Sequence, residues 1–96
     1  MKLPSVPLVP APETDEAKAA IGFKHAGHEI GRRHRIGGDP EWIQSPSVPE
    51  CSCKKPMSFY GQLDSLGDEY CLADCALIYV FVCWDCFETK SVLQSY

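Results

Sequence analysis

The chain has 96 residues, a formal net charge of −4 and six cysteines, all of which lie in its second half. This length allows one domain at most. The acidic balance argues against duplex DNA as the main partner, because phosphate binding requires a broad positive face. The longest apolar run, residues 76–83, is far too short to span a bilayer. What remains is a small domain, in which a metal site often supplies the stability that a small core lacks.

Residues 1–20 are predicted to form a disordered or partly helical tail. Four prolines precede residue 13 without any apolar periodicity, which is typical of a segment that buries too little surface to fold. Thr14 is a candidate N-cap for a short helix in residues 15–20, and Gly22 would end that helix. No apolar stretch typical of a signal peptide is present, so we expect a cytoplasmic protein with reduced thiols.

Residues 21–96 are predicted to form one zinc-ribbon-like domain. Its fold class is small and mainly β, α+β at most, with an antiparallel sheet. Residues 76–82 are almost continuously apolar and rich in β-branched and aromatic side chains, which predicts the buried central strand. Residues 57–64 and 88–96 predict two further strands.

A glycine pair followed by Asp-Pro predicts a turn within residues 35–44. We expect this segment to form a hairpin laid against the sheet. Trp42 is then predicted to build one face of the core together with the aromatic strand Tyr79–Phe81.

Four cysteines are predicted to hold one structural zinc ion: Cys51, Cys53, Cys83 and Cys86. Zinc favours four thiolates in a tetrahedron, and each short cysteine pair supplies two of them from one tight turn of the backbone, a knuckle. The second pair has the usual C-x-x-C spacing, whereas the first is one residue shorter. An alternative site replaces one member of the shorter pair by Cys71 or Cys75, whose other interpretation is as buried free thiols.

Residues 24–35 carry a net positive charge, in contrast to the acidic remainder of the chain. A partner-binding surface is predicted there, formed by His28, Arg32, Arg33 and Arg35. The alternative surface is the exposed edge of the sheet, which a partner strand can extend. No histidine stands in a recognisable catalytic pattern, and an enzyme that uses a histidine or an exposed cysteine is the weakest of the functional hypotheses.

Several motifs resemble, in the same order, those of the YwqG-like family, a bacterial domain of largely unassigned biochemical function. The matching positions are Gly37–Gly38, Pro40, Trp42, Ile43, Gln44, Met57, Gln62, Leu63, Asp64, Gln94 and Tyr96. A weaker similarity connects the chain with the zinc-binding domain of programmed cell death protein 2. The chain departs from the family pattern at the shortened first knuckle and at Lys54, where relatives usually carry glycine because a positive φ is needed.

The resemblance implies an immunity-like or chaperone-like role in binding another protein. Together with a closed thiolate site, which has no open position for chemistry, it predicts a non-enzymatic, zinc-stabilised protein-interaction module with no membrane association. The alternative is a nucleic-acid-binding zinc ribbon, in which Arg32, Arg33 and Arg35 contact phosphates and Trp42 stacks on a base.

Overall fold

The computed structural model describes residues 2–22 and 29–96. Their elements are strand β1 (Val6–Pro7), helix α1 (Asp15–Ala20) and the strands β2 (Arg35–Ile36), β3 (Ser58–Asp64), β4 (Leu77–Val82) and β5 (Thr89–Gln94). The strands form one antiparallel sheet in the order β1-β2-β3-β4-β5, which confirms the predicted mainly-β class. No helix within the described residues is long and apolar enough to cross a membrane.

The core lies on one face of the three long strands. Alternation along β4 buries Leu77, Tyr79 and Phe81 completely, as expected for a strand hydrogen-bonded on both sides. Cys51 and Cys83 belong to the same buried cluster, so the cysteine pairs adjoin the core. The prediction that residues 76–82 form the buried central strand is confirmed.

Trp42 packs on this core as predicted. Its ring centroid lies 4.8 Å from that of Tyr79 and 6.0 Å from that of Phe81. The predicted hairpin, however, is wrong in its second arm, because residues 37–49 contain no strand. Side chains of the sheet hold this segment in place through hydrogen bonds, and no ladder of backbone hydrogen bonds joins it to a strand.

Three buried polar side chains hold residues 41–45 on the sheet. Tyr79 donates its hydroxyl to the Glu41 carbonyl at 2.9 Å, and the hydroxyl accepts from the Ile43 N–H at 3.2 Å. Gln94 accepts from the Gln44 N–H, and Gln62 accepts from the Glu41 N–H. These bonds give several backbone groups of the loop a partner without a neighbouring strand.

The N-terminal segment differs from the expected disordered tail, although its helical part is confirmed. Helix α1 has Thr14 as its N-cap, with the Ala17 N–H donating to the Thr14 hydroxyl at 3.0 Å. Before it, β1 pairs with β2 at the sheet edge, where Pro7 can lie because an edge strand has one unpaired side. Gly37 allows the close approach, since a Cβ there would lie 2.0 Å from the Pro4 carbonyl oxygen. The predicted boundary between a tail, residues 1–20, and a domain, residues 21–96, stays a prediction.

Candidate metal centre

The sheet brings the two cysteine pairs to the same end. Cys51 and Cys53 precede β3, and Cys83 and Cys86 lie in the turn between β4 and β5. Antiparallel pairing sets the first residue of β3, Ser58, opposite the last residue of β4. The predicted arrangement, a strand hairpin with a cysteine knuckle at its tip and a second knuckle beside it, is therefore present.

The four sulfur atoms form a compact cluster. They all lie within 4.8 Å of one another, with 3.0 Å between the sulfurs of Cys51 and Cys86 and 3.7 Å between those of Cys53 and Cys83. A tetrahedral zinc site with bonds of about 2.3 Å has sulfur–sulfur edges of about 3.8 Å. The four cysteines thus fit a zinc ion held by four thiolates. Only small adjustments of their side chains would be needed to hold it.

The missing residue of the first knuckle shortens the turn without misplacing its cysteines. In the second knuckle, the Phe87 N–H donates to the Cys83 carbonyl and the Cys83 N–H donates to the Glu88 carbonyl, at 2.8 and 2.9 Å. In the first, the Lys54 N–H donates to the Cys51 carbonyl and the Cys51 N–H to the Lys55 carbonyl, at 2.9 and 3.0 Å. Both bonds span one residue fewer in the first knuckle, so the two turns share one frame.

Each knuckle ends in a left-handed residue that is not glycine. Lys54 has a φ of 71° and Phe87 a φ of 61°. The positive φ expected at position 54 is confirmed, and the equivalent conformation at Phe87 has no sequence signal. Both positions carry the steric cost of a Cβ in this region.

Backbone amides favour a thiolate at Cys83. The N–H groups of Cys86 and Asp85 point at its sulfur and lower the pKa of Cys83 to about 7. At Cys51 the Cys53 N–H lowers the pKa, but hydrogen bonding with the Cys86 thiol and burial outweigh it, so the pKa of Cys51 is raised. The opposite pKa shifts of Cys51 and Cys83 indicate that neighbouring sulfurs share protons. A bound divalent cation would displace those protons.

Charged side chains tie the two knuckles together. The Glu88 carboxylate accepts from both the N–H and the hydroxyl of Ser52, each at 2.8 Å. Lys55 pairs with Asp85 across the knuckles at 2.9 Å. The N–H of Ser52, followed by the thiol of Cys51 and the hydroxyl of Ser52, lowers the pKa of Glu88 to about 2. Sequence reasoning missed Glu88, because nothing in its own segment points to a residue on the other knuckle.

Cys71 and Cys75 do not join the cluster. They lie in the turn before β4, whereas Cys83 follows β4. The six residues of that strand, each rising about 3.3 Å, separate the two groups. The alternative ligand set with Cys71 or Cys75 is therefore not formed.

The predicted basic surface is largely absent among the described residues, and His28 lies outside them. The side chain of Arg33 is 8% exposed and pairs with the fully buried Asp64 at 2.7 Å. Arg35 is 12% exposed, pairs with Glu41, and lies over the Phe59 ring. Arg32 remains exposed. The side chains of Arg33 and Arg35 are thus largely engaged within the fold, because their acceptors lie on distant segments. The partner-binding role of His28, Arg32, Arg33 and Arg35 stays a prediction.

Asp64 is the centre of a buried polar network at the end of β3. Its carboxylate accepts from the Gly31 N–H at 2.6 Å and from Arg33 at Nε and Nη2, at 2.9 and 2.7 Å. Burial alone raises the pKa of Asp64. The hydrogen bond from Arg33, the Gly31 N–H and the arginine charge outweigh this effect, so the pKa of Asp64 lies below its ordinary value.

Comparisons of the chain with family models, curated proteins and solved structures gave no match. The similarities to the YwqG-like family and to the domain of programmed cell death protein 2 accordingly stay predictions.

Proposed function

We propose that the protein is a zinc-stabilised, non-enzymatic module that binds another protein. The observation that carries the proposal is the cluster of four sulfur atoms within 4.8 Å of one another. Four protein thiolates close the coordination sphere of zinc, so the ion has a structural role and no position for an activated water. Such a site would hold the knuckles together at the end of a domain whose core is small.

The interaction surface that we propose is the sheet face opposite Tyr79. Three rows of register partners cross it, and none contains a charged residue: Val6, Ile36, Gly61, Val80 and Ser91; Leu63, Ile78 and Leu93; Ser58, Val82 and Thr89. Leu63 is 49% exposed and Leu93 is 52% exposed. Gly61 and Val82 are buried, and Ile78 and Val80 are partly exposed. Exposed apolar side chains on one face of a sheet, such as those of Leu63 and Leu93, are typical of a protein-binding site.

A shallow groove gives this face some shape. It has a volume of about 240 Å³ and lies between Leu8, Ile36, Tyr60, Leu63 and Val80. Residues 36–96 carry three lysines and nine acidic residues, so the net charge of this part of the chain favours a basic partner. We therefore propose a partner protein whose apolar contact surface is flanked by lysine and arginine side chains.

The test combines metal analysis with a matched pair of surface variants. Purified protein should contain about one zinc per chain, and nuclease-treated lysate should yield a basic protein bound to it. Leu63→Ser with Leu93→Ser should abolish that capture while leaving zinc content and melting temperature nearly unchanged. Val48→Ser is the control, since Val48 is 54% exposed but is not among the register partners that form this face.

Two outcomes would overturn the proposal. One is a partner that binds the double serine variant as tightly as the parent protein. The other is capture that nuclease removes, which would favour the nucleic-acid-binding ribbon instead. If purified protein contains no zinc, the proposed metal site is wrong. The proposed binding face is tested separately by the serine variants.

A further inference from the structure

Two cysteines outside the metal cluster lie side by side at the other end of β4. The Cys75 N–H donates to the Cys71 sulfur at 3.4 Å. Because the backbone N–Cα bond measures about 1.5 Å, the Cys71 sulfur lies within about 5 Å of the Cys75 Cα. Rotation of the Cys75 side chain about χ1 then moves its sulfur into the neighbourhood of the Cys71 sulfur.

The surrounding turn holds this geometry in place. Ala73 and Cys75 have positive φ values of 47° and 54°, which fold the backbone tightly between the two cysteines. The Ala76 N–H donates to the Leu72 carbonyl at 2.8 Å, and the Leu72 N–H donates to the Ser65 hydroxyl at 3.0 Å. A fixed turn that holds the Cys71 sulfur close to the Cys75 backbone favours the short separation of Cβ atoms that a disulfide requires.

Contacts from other segments fix the turn further. The carbonyl of Asp74 accepts from the Tyr96 N–H at 3.2 Å, and that of Cys75 accepts from Arg33 at 3.2 Å. Both cysteines are nevertheless partly exposed, so a small reagent can reach them. By contrast, the four knuckle thiols would be shielded by a bound metal ion.

We propose that Cys71 and Cys75 form a dithiol that low-molecular-weight disulfides, such as glutathione disulfide, oxidise to an intramolecular disulfide. Burial, followed by hydrogen bonding with the Cys71 thiol, raises the pKa of Cys75. The Cys71 sulfur, in turn, accepts a hydrogen bond from the Cys75 N–H and is partly exposed. We therefore assign Cys71 as the attacking sulfur and Cys75 as the resolving one.

The reaction proceeds in two balanced exchanges. The Cys71 thiolate attacks one sulfur of the reagent, which forms a mixed disulfide and releases one thiolate. The Cys75 thiolate then attacks the Cys71 sulfur, so that the protein disulfide forms and the second thiolate leaves. The two protons of the protein thiols pass to the two released thiolates, and the reagent is reduced while the protein is oxidised.

The test uses metal-loaded protein, glutathione disulfide and peptide mapping. A protease that cleaves before aspartate separates Cys71 from Cys75 at Asp74. After oxidation we expect the two peptides to remain joined, with a mass loss of about 2 Da that dithiothreitol reverses, and fragmentation spectra should place the bond between these two cysteines. Alkylation of reduced protein measures the starting state.

Single variants complete the experiment. Cys71→Ser and Cys75→Ser should each abolish the joined peptide, and Cys75→Ser should retain a stable glutathione adduct on Cys71. The inference is wrong if both cysteines of the parent protein are still alkylated after oxidation, or if the parent protein itself stops at the adduct. Mapping of the parent protein decides the matter even if a variant does not fold, and neither result depends on the zinc content or on the proposed binding face.

Discussion

The two ends of the long strands are stabilised by different chemistry. At the knuckle end, four thiols meet, and the pairs around them, Glu88 with Ser52 and Lys55 with Asp85, are largely exposed. At the opposite end, the Asp64 carboxylate is fully buried and satisfied by Arg33 and by backbone N–H groups. Exposed pairs contribute little to stability, whereas a buried network costs several kcal/mol when one partner is lost.

This difference indicates which end depends on an added group. At the Asp64 end the chain's own atoms supply the partners, because the buried Asp64 carboxylate is paired with Arg33 and accepts from backbone N–H groups. The knuckle end instead brings together four sulfurs that would release their protons on binding a divalent cation. We therefore expect loss of metal to open the knuckle end first and the Asp64 end only when the core fails.

Metal removal should have the largest effect. A structural four-thiolate site stabilises a small fold by on the order of 10 kcal/mol in apparent terms at neutral pH. A strong chelator should accordingly collapse the β signal in circular dichroism and lower the melting temperature by tens of degrees. Cys83→Ser should reproduce the effect, and Cys71→Ser, outside the cluster, is its control. An unchanged melting curve in chelator would show that the ends do not differ as described.

The Asp64 end should respond to loss of its arginine rather than to chelation. Arg33→Met leaves a buried carboxylate without its partner and should cost about 3–5 kcal/mol in chemical denaturation. Arg32→Met is the matched control, because Arg32 is exposed, and it should change stability by less than about 0.5 kcal/mol. Charge reversal at both Arg32 and Arg33 is likewise expected to destabilise the fold through Arg33.

The stability lost in Arg33→Met should depend on pH. Asp64 has a lowered pKa in the folded state, so its contribution is complete above the ordinary value of 3.8 and is lost as the pH falls through the lower folded value. The parent protein should therefore lose this contribution only in acid below about pH 4. In Arg33→Met the pKa of Asp64 rises relative to the parent, because the arginine no longer outweighs burial, so the stability difference between the two proteins should begin to shrink at a higher pH. A difference that does not change with pH would contradict the assignment of Asp64 as the partner of Arg33.

Local patterns in the sequence predicted much of this architecture, and contacts between distant segments account for the rest. The continuous apolar run of β4 and the cysteine spacings each signal their structure within a few residues. Arg33 does not, because its acceptor Asp64 lies 31 residues away and the basic stretch around it is also typical of a solvated surface. Strand β1 escaped prediction for a similar reason, since its proline-rich segment has no alternation and pairs only where Gly37 permits close approach.

Substitution of Trp42 tests how much the region between the two ends contributes to stability. It is half-buried against Tyr79 and Phe81, so Trp42→Ala should cost about 3 kcal/mol, at the low end for a large aromatic side chain. Trp42→Phe should retain most of that stability. A loss below about 1 kcal/mol, measured by chemical denaturation of metal-loaded protein, would mean that the loop of residues 41–45 contributes little to the core.

The smallest expected effect compares the two knuckles with each other. Lys54 and Phe87 occupy equivalent left-handed positions, where glycine avoids a Cβ cost of about 1–2 kcal/mol but loses part of that gain to its greater freedom in the unfolded chain. Lys54→Gly and Phe87→Gly should each stabilise the metal-loaded protein by about 0.5–1 kcal/mol. Lys54→Ala keeps the Cβ and should leave stability nearly unchanged. If glycine stabilises only at Phe87, the two turns do not share one frame, and the shortened knuckle has relaxed in some other way.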